Sequence, residues 1–246
     1  MQEEKCTPMR DALSIAAVGA AGLAAASAIT GCTQIVGKQG EPEHTAGRVT
    51  FTFSDIPGEG NTKVLNYALF LETLEAEFYR QALARLTDGG QDNRGNDIPG
   101  LHLGADQPDV RFVKRFKTIE DQHRVLLQTA LSAFQGFQAI KPSKYNFGIA
   151  GADRRQLMEQ LYDVERTGAQ AYLGAIRFFP DKKYVQIAAA IQGTEARHYA
   201  AIAEVNNLLF HSQNSVAPLA SQNHGIETPQ DPDTVLATVS KFVVAR

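Results

Sequence analysis

Four long stretches of the chain carry apolar side chains at the three- and four-residue spacing of amphipathic helices. They cover about 63–86, 110–137, 153–179 and 181–210. A shorter amphipathic stretch follows near the C-terminus, and its apolar positions are Val235, Leu236, Val239, Phe242 and Val243. The pattern predicts an all-α protein: a four-helix bundle with a C-terminal tail that ends in a short helix. That helix either packs on the bundle or contacts another subunit, so a homo-oligomer stays open.

The segments between these stretches are rich in Gly, Pro, Asp and Asn, which favour turns and loops. We expect the acids of 88–109 to be solvated turn residues, because they lack the spacing of an EF-hand loop. The connection from the second to the third helix could cross the bundle or simply turn. Ahead of the first helix, Val49–Phe53 alternates like a short strand or an extended strip laid on the bundle. We divide the chain into a linker (32–60), the bundle (61–211) and a tail that packs on it (212–246).

The first 31 residues differ from the rest of the chain. Ala12–Thr30 is uncharged and rich in Ala, Gly and Ser, and it leads into Gly31-Cys32. This arrangement is typical of an export signal that ends in a lipobox. We predict a protein of the periplasm or cell envelope, with Cys32 as a lipid-bearing first residue of the mature chain and a membrane tether. The alternative is a retained N-terminal anchor or a loose helical tail.

Composition narrows the classes of function. The chain has 246 residues, of which 43% are hydrophobic and 21% charged, enough for one domain with a full core plus extensions. A formal net charge of −3 supplies no basic stripe, which argues against a nucleic-acid partner. Both cysteines, Cys6 and Cys32, lie outside the predicted core. The predicted core therefore contains neither a zinc-finger site nor a cysteine nucleophile.

Two Glu-x-x-His pairs carry the chemistry, Glu120–His123 and Glu195–His198. Residues three apart on a helix face the same way, so each pair can grip one metal ion. A single pair arises easily by chance, but here each pair lies on the apolar stripe of its own predicted helix. An acid among such neighbours is costly unless a partner compensates its charge.

The pairs belong to a half-repeat. In each half, the preceding helix carries a Glu followed seven residues later by a Tyr: Glu72 with Tyr79, and Glu165 with Tyr172. The chain thus supplies four carboxylates and two imidazoles, the side-chain set of a dinuclear metal site in a four-helix bundle. Glu75 lies one turn after Glu72 and could contribute as well, a role that the sequence leaves open.

The first helix, VLNYALFLETLEAEFYRQAL, together with the paired motifs and the half-repeat, resembles the ferritin-like superfamily of dimetal carboxylate proteins. The sequence of this first helix is most similar to that of the subgroup of desiccation-related and exported bacterial proteins. The resemblance implies two metal ions, iron or manganese, and Glu120 and Glu195 as candidates for bridging them. The implied ligands are Glu72, Glu120, His123, Glu165, Glu195 and His198.

The two tyrosines, Tyr79 and Tyr172, are expected to hydrogen-bond ligand carboxylates and so orient them. The alternative is that they are simply core aromatics. The small side chains of Ala76, Gly168 and Ala169 are expected to leave room for a small oxidant.

Three functions remain. The first is a redox enzyme that uses hydrogen peroxide or oxygen in stress protection, with catalase-like or ferroxidase-like chemistry. The second is a non-catalytic desiccation- or stress-related protein whose metal mainly ties the bundle together. The third, iron storage, is the least favoured.

Overall fold

The computed structural model describes residues 51–244 except 138, 142 and 219–223. Five α-helices form most of this part of the chain: α1 (Gly60–Leu86), α2 (Pro108–Ser132), α3 (Arg154–Ala175), α4 (Lys182–Phe210) and α5 (Pro232–Val239). The predicted leader, Cys32 and the linker up to residue 50 lie outside the described residues. Among the residues described, no helix is long and apolar enough to cross a membrane.

The first four helices form the predicted bundle as two helical hairpins. Helix α1 packs most closely on α2, and α3 on α4, while α1 also contacts α3 and α2 contacts α4. Helices α2 and α3 therefore lie diagonally opposite each other. The connection between them starts beside the beginning of α1, where the Ile140 N–H donates to Asn66. It finishes beside the end of α1, where the Ala152 carbonyl accepts from Arg85. The connection thus crosses the bundle along its length.

Local signals set the helix boundaries. The Asp153 carboxylate accepts from the Gln156 N–H and caps α3, and Asp181 does the same for α4 through the Lys183 N–H. The sequence predicted α2 through residue 137, but the helix ends at Ser132. The chain continues in turns, and Gly136 has a φ of 74°, which a helix does not accommodate.

Short 3₁₀ turns replace two other predicted helical ends. The predicted third helix continued to 179, whereas α3 gives way to a 3₁₀ turn at Ile176–Phe178 ahead of Pro180. The last helix was predicted to include Phe242 and Val243. Instead, a 3₁₀ turn at Ser240–Phe242 follows α5, and the next residues form a strand.

In the described part of the chain, four two-residue strands join loops to one another. Strands β1 (Gly90–Gln91) and β2 (Asp97–Ile98) form an antiparallel hairpin after α1. Strands β3 (Lys144–Tyr145) and β4 (Val243–Val244) pair antiparallel, Tyr145 opposite Val243. The second pairing joins the crossing connection to the end of the tail.

The two ends of the described chain cover the same side of the bundle. Phe51 packs edge-on against Phe70 and Phe53 against Tyr67, so this segment lies as a strip on α1 and turns into a 3₁₀ helix (Phe53–Asp55) rather than a strand. Helix α5 packs on α3, and the Asp233 carboxylate accepts from the Phe53 N–H at 2.6 Å. Most residues of α1 and α3 are consequently buried, whereas α2 and α4 keep exposed outer faces.

One acid predicted to be a solvated turn residue is not. Asp109, in the first turn of α2, is fully buried and binds the Arg154 guanidinium through both carboxylate oxygens at 2.6 and 2.7 Å. This two-point ion pair joins the N-terminal ends of α2 and α3. The sequence prediction missed it because the partner is 45 residues away.

Candidate metal centre

All four bundle helices turn acidic side chains into one buried cluster. The carboxylates of Glu72, Glu120, Glu165 and Glu195 come one from each helix, and each residue is 0% exposed. The i, i+3 spacing brings the imidazoles of His123 and His198 to the same cluster from α2 and α4. The structure thus places all six predicted ligands together, at the centre of the bundle.

The cluster divides into two overlapping groups, each able to hold a metal ion. In each group, four ligand atoms lie within 4.8 Å of one another. One group contains Glu72 and His123, the other contains Glu165 and His198, and both contain Glu120 and Glu195. Two glutamates therefore belong to both groups, so each of them could be a ligand in either group. They are the acids of the two Glu-x-x-His pairs.

The imidazole of His123 faces three carboxylates. Its Nδ1 lies 3.1 Å from a Glu120 oxygen, 3.1 Å from a Glu195 oxygen and 3.4 Å from a Glu72 oxygen. No single one of these contacts accounts for the arrangement, because one nitrogen cannot donate to three acceptors at once. The contacts fit a set of donor atoms that point at a common ion.

His198 has the corresponding place in the second group. Its Nδ1 lies 2.8 Å from a Glu120 oxygen and 3.4 Å from a Glu165 oxygen. The ring stacks on Phe116, with the centroids 3.9 Å apart. Phe116 lies one turn before Glu120 on α2, so one helix supplies both a shared carboxylate and the cover of the opposite imidazole. The sequence gives no local sign of this contact, because Phe116 is one of several apolar residues on the inner side of its helix.

Each tyrosine of the half-repeat bonds across the bundle to the other half. The Tyr172 hydroxyl on α3 donates to Glu72 on α1 at 2.6 Å, and the Tyr79 hydroxyl on α1 donates to Glu165 on α3. Both acids are outer members of their groups, not shared ones. The tyrosines therefore orient equivalent carboxylates by a reciprocal exchange that links α1 to α3.

The buried polar atoms of the cluster that lack hydrogen-bond partners indicate whether the cluster suits a metal ion. Among the described residues, several buried side-chain atoms of the cluster have no hydrogen-bond partner. They are Glu72 Oε2, Glu120 Oε1, Glu165 Oε2, both carboxylate oxygens of Glu195, and Nδ1 and Nε2 of His198. Some lie within 3.5 Å of an opposite group, as His198 Nδ1 does of Glu120, but without hydrogen-bond orientation. Each unpaired buried atom would cost roughly 1–3 kcal/mol, so the set is strongly destabilising unless a cation compensates it. Oxygen and nitrogen donors aimed inward fit iron or manganese.

Burial makes three carboxyl groups of the metal-free cluster hard to ionise. It raises the pKa of Glu72 to about 7, against the partial opposition of His123. Burial and neighbouring carboxylates raise the pKa values of Glu75 and Glu195 well above the ordinary range. Protons therefore occupy this cluster when a cation does not.

The imidazoles and one shared carboxylate shift the other way. Burial would raise the pKa of Glu120, but the hydrogen bond from His123 and the close positive charges of both imidazoles outweigh it and lower the pKa to about 2. Burial would lower the pKa values of both imidazoles, but the surrounding carboxylates raise that of His123 to about 10 and that of His198 to about 9. In the metal-free protein both imidazoles are thus in the positively charged imidazolium form at neutral pH. A metal ion must displace the additional proton from each ring.

Glu75, whose role the sequence left open, belongs to this region. Its side chain is 3% exposed and comes from α1, one turn after Glu72. A Cβ atom added to Gly168 would lie 2.6 Å from Glu75 Oε1. The space beside Gly168 therefore holds this carboxylate, and the prediction that it leaves room for an oxidant is wrong. Glu77, by contrast, is only partly buried and pairs with Arg80.

Solvent reaches the cluster at one edge. The side chain of His123 is 11% exposed, compared with 3% for His198 and 0% for the carboxylates of Glu72, Glu120, Glu165 and Glu195. His123 is therefore the most exposed side chain of the cluster.

A bundle of four helices that each turn a glutamate inward, two of them with a histidine one turn later, defines a class of carboxylate–histidine metal proteins. Residues 60–208 match the family model described as a ferritin-like domain, which is more than half of the chain. The chain belongs to this family. No curated protein gives a significant match.

Proposed function

We propose that the protein binds a pair of iron or manganese ions and uses them for redox chemistry on hydrogen peroxide or oxygen. The observation that carries the proposal is the overlap of two ligand groups on Glu120 and Glu195. A single-ion site would not need a second imidazole and a second carboxylate in addition to the two shared glutamates. Glu72 and His123 would complete one ion's ligands, and Glu165 and His198 the other's.

The charge of the cluster suits two ions. Four carboxylates carry four negative charges, which two divalent ions would balance, whereas one divalent ion would leave two buried charges uncompensated. Iron and manganese change oxidation state under mild conditions, which is the chemistry that they would supply here. Zinc has no such chemistry.

The protein's own residues have three tasks in this proposal. Tyr79 and Tyr172 hold Glu165 and Glu72 in place through their hydrogen bonds. Phe116 excludes water from the face of His198. The exposed edge of His123 limits access to small molecules, which favours peroxide or oxygen over a bulky substrate.

Hydrogen peroxide is the substrate that needs the least additional machinery. Its disproportionation to oxygen and water consumes no outside reductant. Any other use of peroxide or oxygen needs an electron donor, such as ferrous iron supplied as substrate. We therefore rank catalase-like activity first with manganese, and ferroxidase-like or peroxidase-like activity first with iron.

The test is purification from the native host, followed by elemental analysis and a hydrogen peroxide assay on the same sample. The proposal predicts about two Fe or Mn per chain, and peroxide loss or oxygen uptake that disappears when the metal is removed. Glu204 is exposed on α4, so Glu204→Gln is the matched control for Glu195→Gln. A chain with two ions that turns over neither peroxide nor oxygen would contradict the redox part.

A non-catalytic stress-related role is the second candidate. The near-complete burial of the cluster and its ligands from all four helices favour it, because a bound ion would tie the whole bundle together. In that case metal removal lowers the melting temperature strongly, while the loaded protein consumes no oxidant.

We also propose that the protein acts outside the cytoplasm, in the periplasm or cell envelope, held to a membrane by a lipid on Cys32. The support is the apolar stretch Ala12–Thr30 ahead of Gly31-Cys32. Cell fractionation and mass spectrometry of the mature N-terminus test this. A Cys32→Ser variant that remains equally membrane-associated would contradict the lipid anchor.

A further inference from the structure

Glu75 is a buried carboxylate that the six predicted ligands do not account for. It is 3% exposed, and its Oε2 has no hydrogen-bond partner among the residues described. It is not a member of either group of four whose ligand atoms lie within 4.8 Å of one another. An acid buried in this way needs a compensating partner, and the neighbouring acids Glu72 and Glu195 cannot supply one.

The half-repeat identifies the position that corresponds to Glu75. Glu75 follows Glu72 by three residues, and Gly168 follows Glu165 by three. Glycine inside a helix costs about 1 kcal/mol relative to alanine, so this position has a reason to lack a side chain. The structure gives the reason: a Cβ at Gly168 would lie 2.6 Å from Glu75 Oε1 and 3.4 Å from Glu195 Oε2.

The contact also shows where the Glu75 carboxylate points. It reaches from α1 across to the backbone of α3, to a spot that a shared carboxylate oxygen of Glu195 approaches as well. The side chain is therefore directed toward the cluster and not along the surface of α1. One half of the repeat thus supplies an additional acid, and the other supplies the space for it.

We propose that Glu75 is a fifth carboxylate ligand of the metal centre, admitted on one side by the missing side chain of Gly168. This inference rests on the proposed function, since it requires that the cluster bind metal. Four carboxylates already balance two divalent ions, so a fifth favours a pair of higher total charge. Glu75 would thus stabilise the oxidised pair relative to the reduced one and make the two metal positions inequivalent.

Metal binding by matched variants tests the proposal without an activity assay. Glu75→Gln keeps the size of the side chain but removes its charge, and Glu77→Gln is the control on the outer face of the same helix. The probes are Mn²⁺, titrated by calorimetry, and Co²⁺, whose visible absorption reports its coordination. We expect Glu75→Gln to weaken Mn²⁺ binding about tenfold or more and to alter the Co²⁺ spectrum, and Glu77→Gln to do neither.

A double-mutant cycle tests the part played by Gly168. In the parent protein, Gly168→Ala should push the Glu75 carboxylate aside and weaken Mn²⁺ binding by a factor close to that of Glu75→Gln. In a Glu75→Ala background, the same change should have no further effect, because the added methyl group then meets no Glu75 oxygen. An undiminished effect in that background would overturn the role assigned to Gly168.

The outcomes separate this inference from the function beneath it. If the parent protein binds neither Mn²⁺ nor Co²⁺, the proposed function fails. If the parent binds about two ions and Glu75→Gln binds them equally well with the same Co²⁺ spectrum, only the fifth ligand is overturned. Circular dichroism checks that the variants fold; should Glu75→Gln not fold, Glu75→Asp, which shortens the carboxylate by one methylene, should show the same loss of affinity.

Discussion

The two helical hairpins supply the buried carboxylate–histidine cluster with nearly the same residues, yet they differ around it. Each hairpin contributes a Glu, a Tyr seven residues later and a Glu-x-x-His pair, and each Tyr bonds to the other hairpin. The first hairpin adds Glu75 where the second has Gly168. The residues that the two hairpins share thus form the proposed ligand set. The difference between Glu75 and Gly168 makes the two sides of the cluster unequal.

A second difference concerns the imidazoles. Phe116 on α2 stacks on His198, while Ile191 holds the same place, one turn before the Glu-x-x-His pair, on α4. His198 is 3% exposed and His123 is 11% exposed. The side of the cluster with Glu165 and His198 is closed, whereas the side with Glu72 and His123 is open. We expect metal ions to exchange at the open side.

The largest effect should come from the two glutamates that both sides share. Glu120→Gln and Glu195→Gln each remove a ligand from both groups, so each should lose most of both ions. Glu72→Gln and Glu165→Gln should lose mainly one ion each. Elemental analysis after gel filtration measures the metal content. Equal losses from all four variants would contradict the sharing of Glu120 and Glu195.

The pH dependence of the metal-free protein should be the next largest effect. The folded-state pKa values of His123, about 10, and His198, about 9, exceed the ordinary value near 6.5. Their stabilising contribution is complete below pH 6.5 and disappears as the pH rises through 9 and 10. The folded-state pKa of Glu72 is raised from 4.5 to about 7. Its stabilising contribution is therefore also lost as the pH rises between these two values.

We therefore expect the free energy of unfolding of the metal-free protein to fall by on the order of 5 kcal/mol between pH 5 and pH 9. The metal-loaded protein should not share this loss, because metal binding itself strengthens as protons leave. Urea denaturation at a series of pH values, with and without metal, measures both. A metal-free protein that becomes more stable toward pH 9 would refute the assignment of protonated imidazoles.

Phe116 and Ile191 offer a direct comparison of the closed and open sides. Both are buried, and truncation to alanine should cost about 3–5 kcal/mol for Phe116 and about 2–5 kcal/mol for Ile191. Phe116→Ala uncovers the imidazole on which Phe116 stacks, so metal should leave this variant faster in the presence of a chelator. The distinction between the sides would break down if Ile191→Ala released metal equally fast.

The tyrosines should give the smallest effects, and equal ones. Tyr79→Phe and Tyr172→Phe each remove one hydrogen bond to an outer carboxylate, for which we expect about a tenfold loss of metal affinity. Tyr184→Phe, in the core but outside the cluster, serves as the control. Calorimetric titration with Mn²⁺ compares the three. A loss in only one of the two cluster variants would show that the reciprocal bonds are not equivalent.

The sequence was sufficient for the bundle because helix periodicity is a local signal. It also predicted the residues that meet in the cluster, since i, i+3 pairs on apolar stripes face one core. Pairings between distant segments were not predictable: Asp109 with Arg154, β3 with β4, and the path of the crossing connection. These depend on how the helices are arranged, which no local pattern encodes.

Glu75 shows where a closer comparison within the sequence would have helped. Its spacing from Glu72 already placed it on the inner face, but nothing local said whether the core had space for it. The signal was Gly168, an unfavourable residue inside a helix at the matching position of the other half. Aligning the two halves would have paired the extra acid with the missing side chain.

The dinuclear centre is tested most directly by the metal content of the protein purified from its native host, determined by elemental analysis. We predict about two Fe or Mn ions per chain, falling to less than one in Glu120→Gln and unchanged in Glu204→Gln. A protein that contains neither metal, and does not take up Fe²⁺ or Mn²⁺ when these are supplied, would contradict the dinuclear centre.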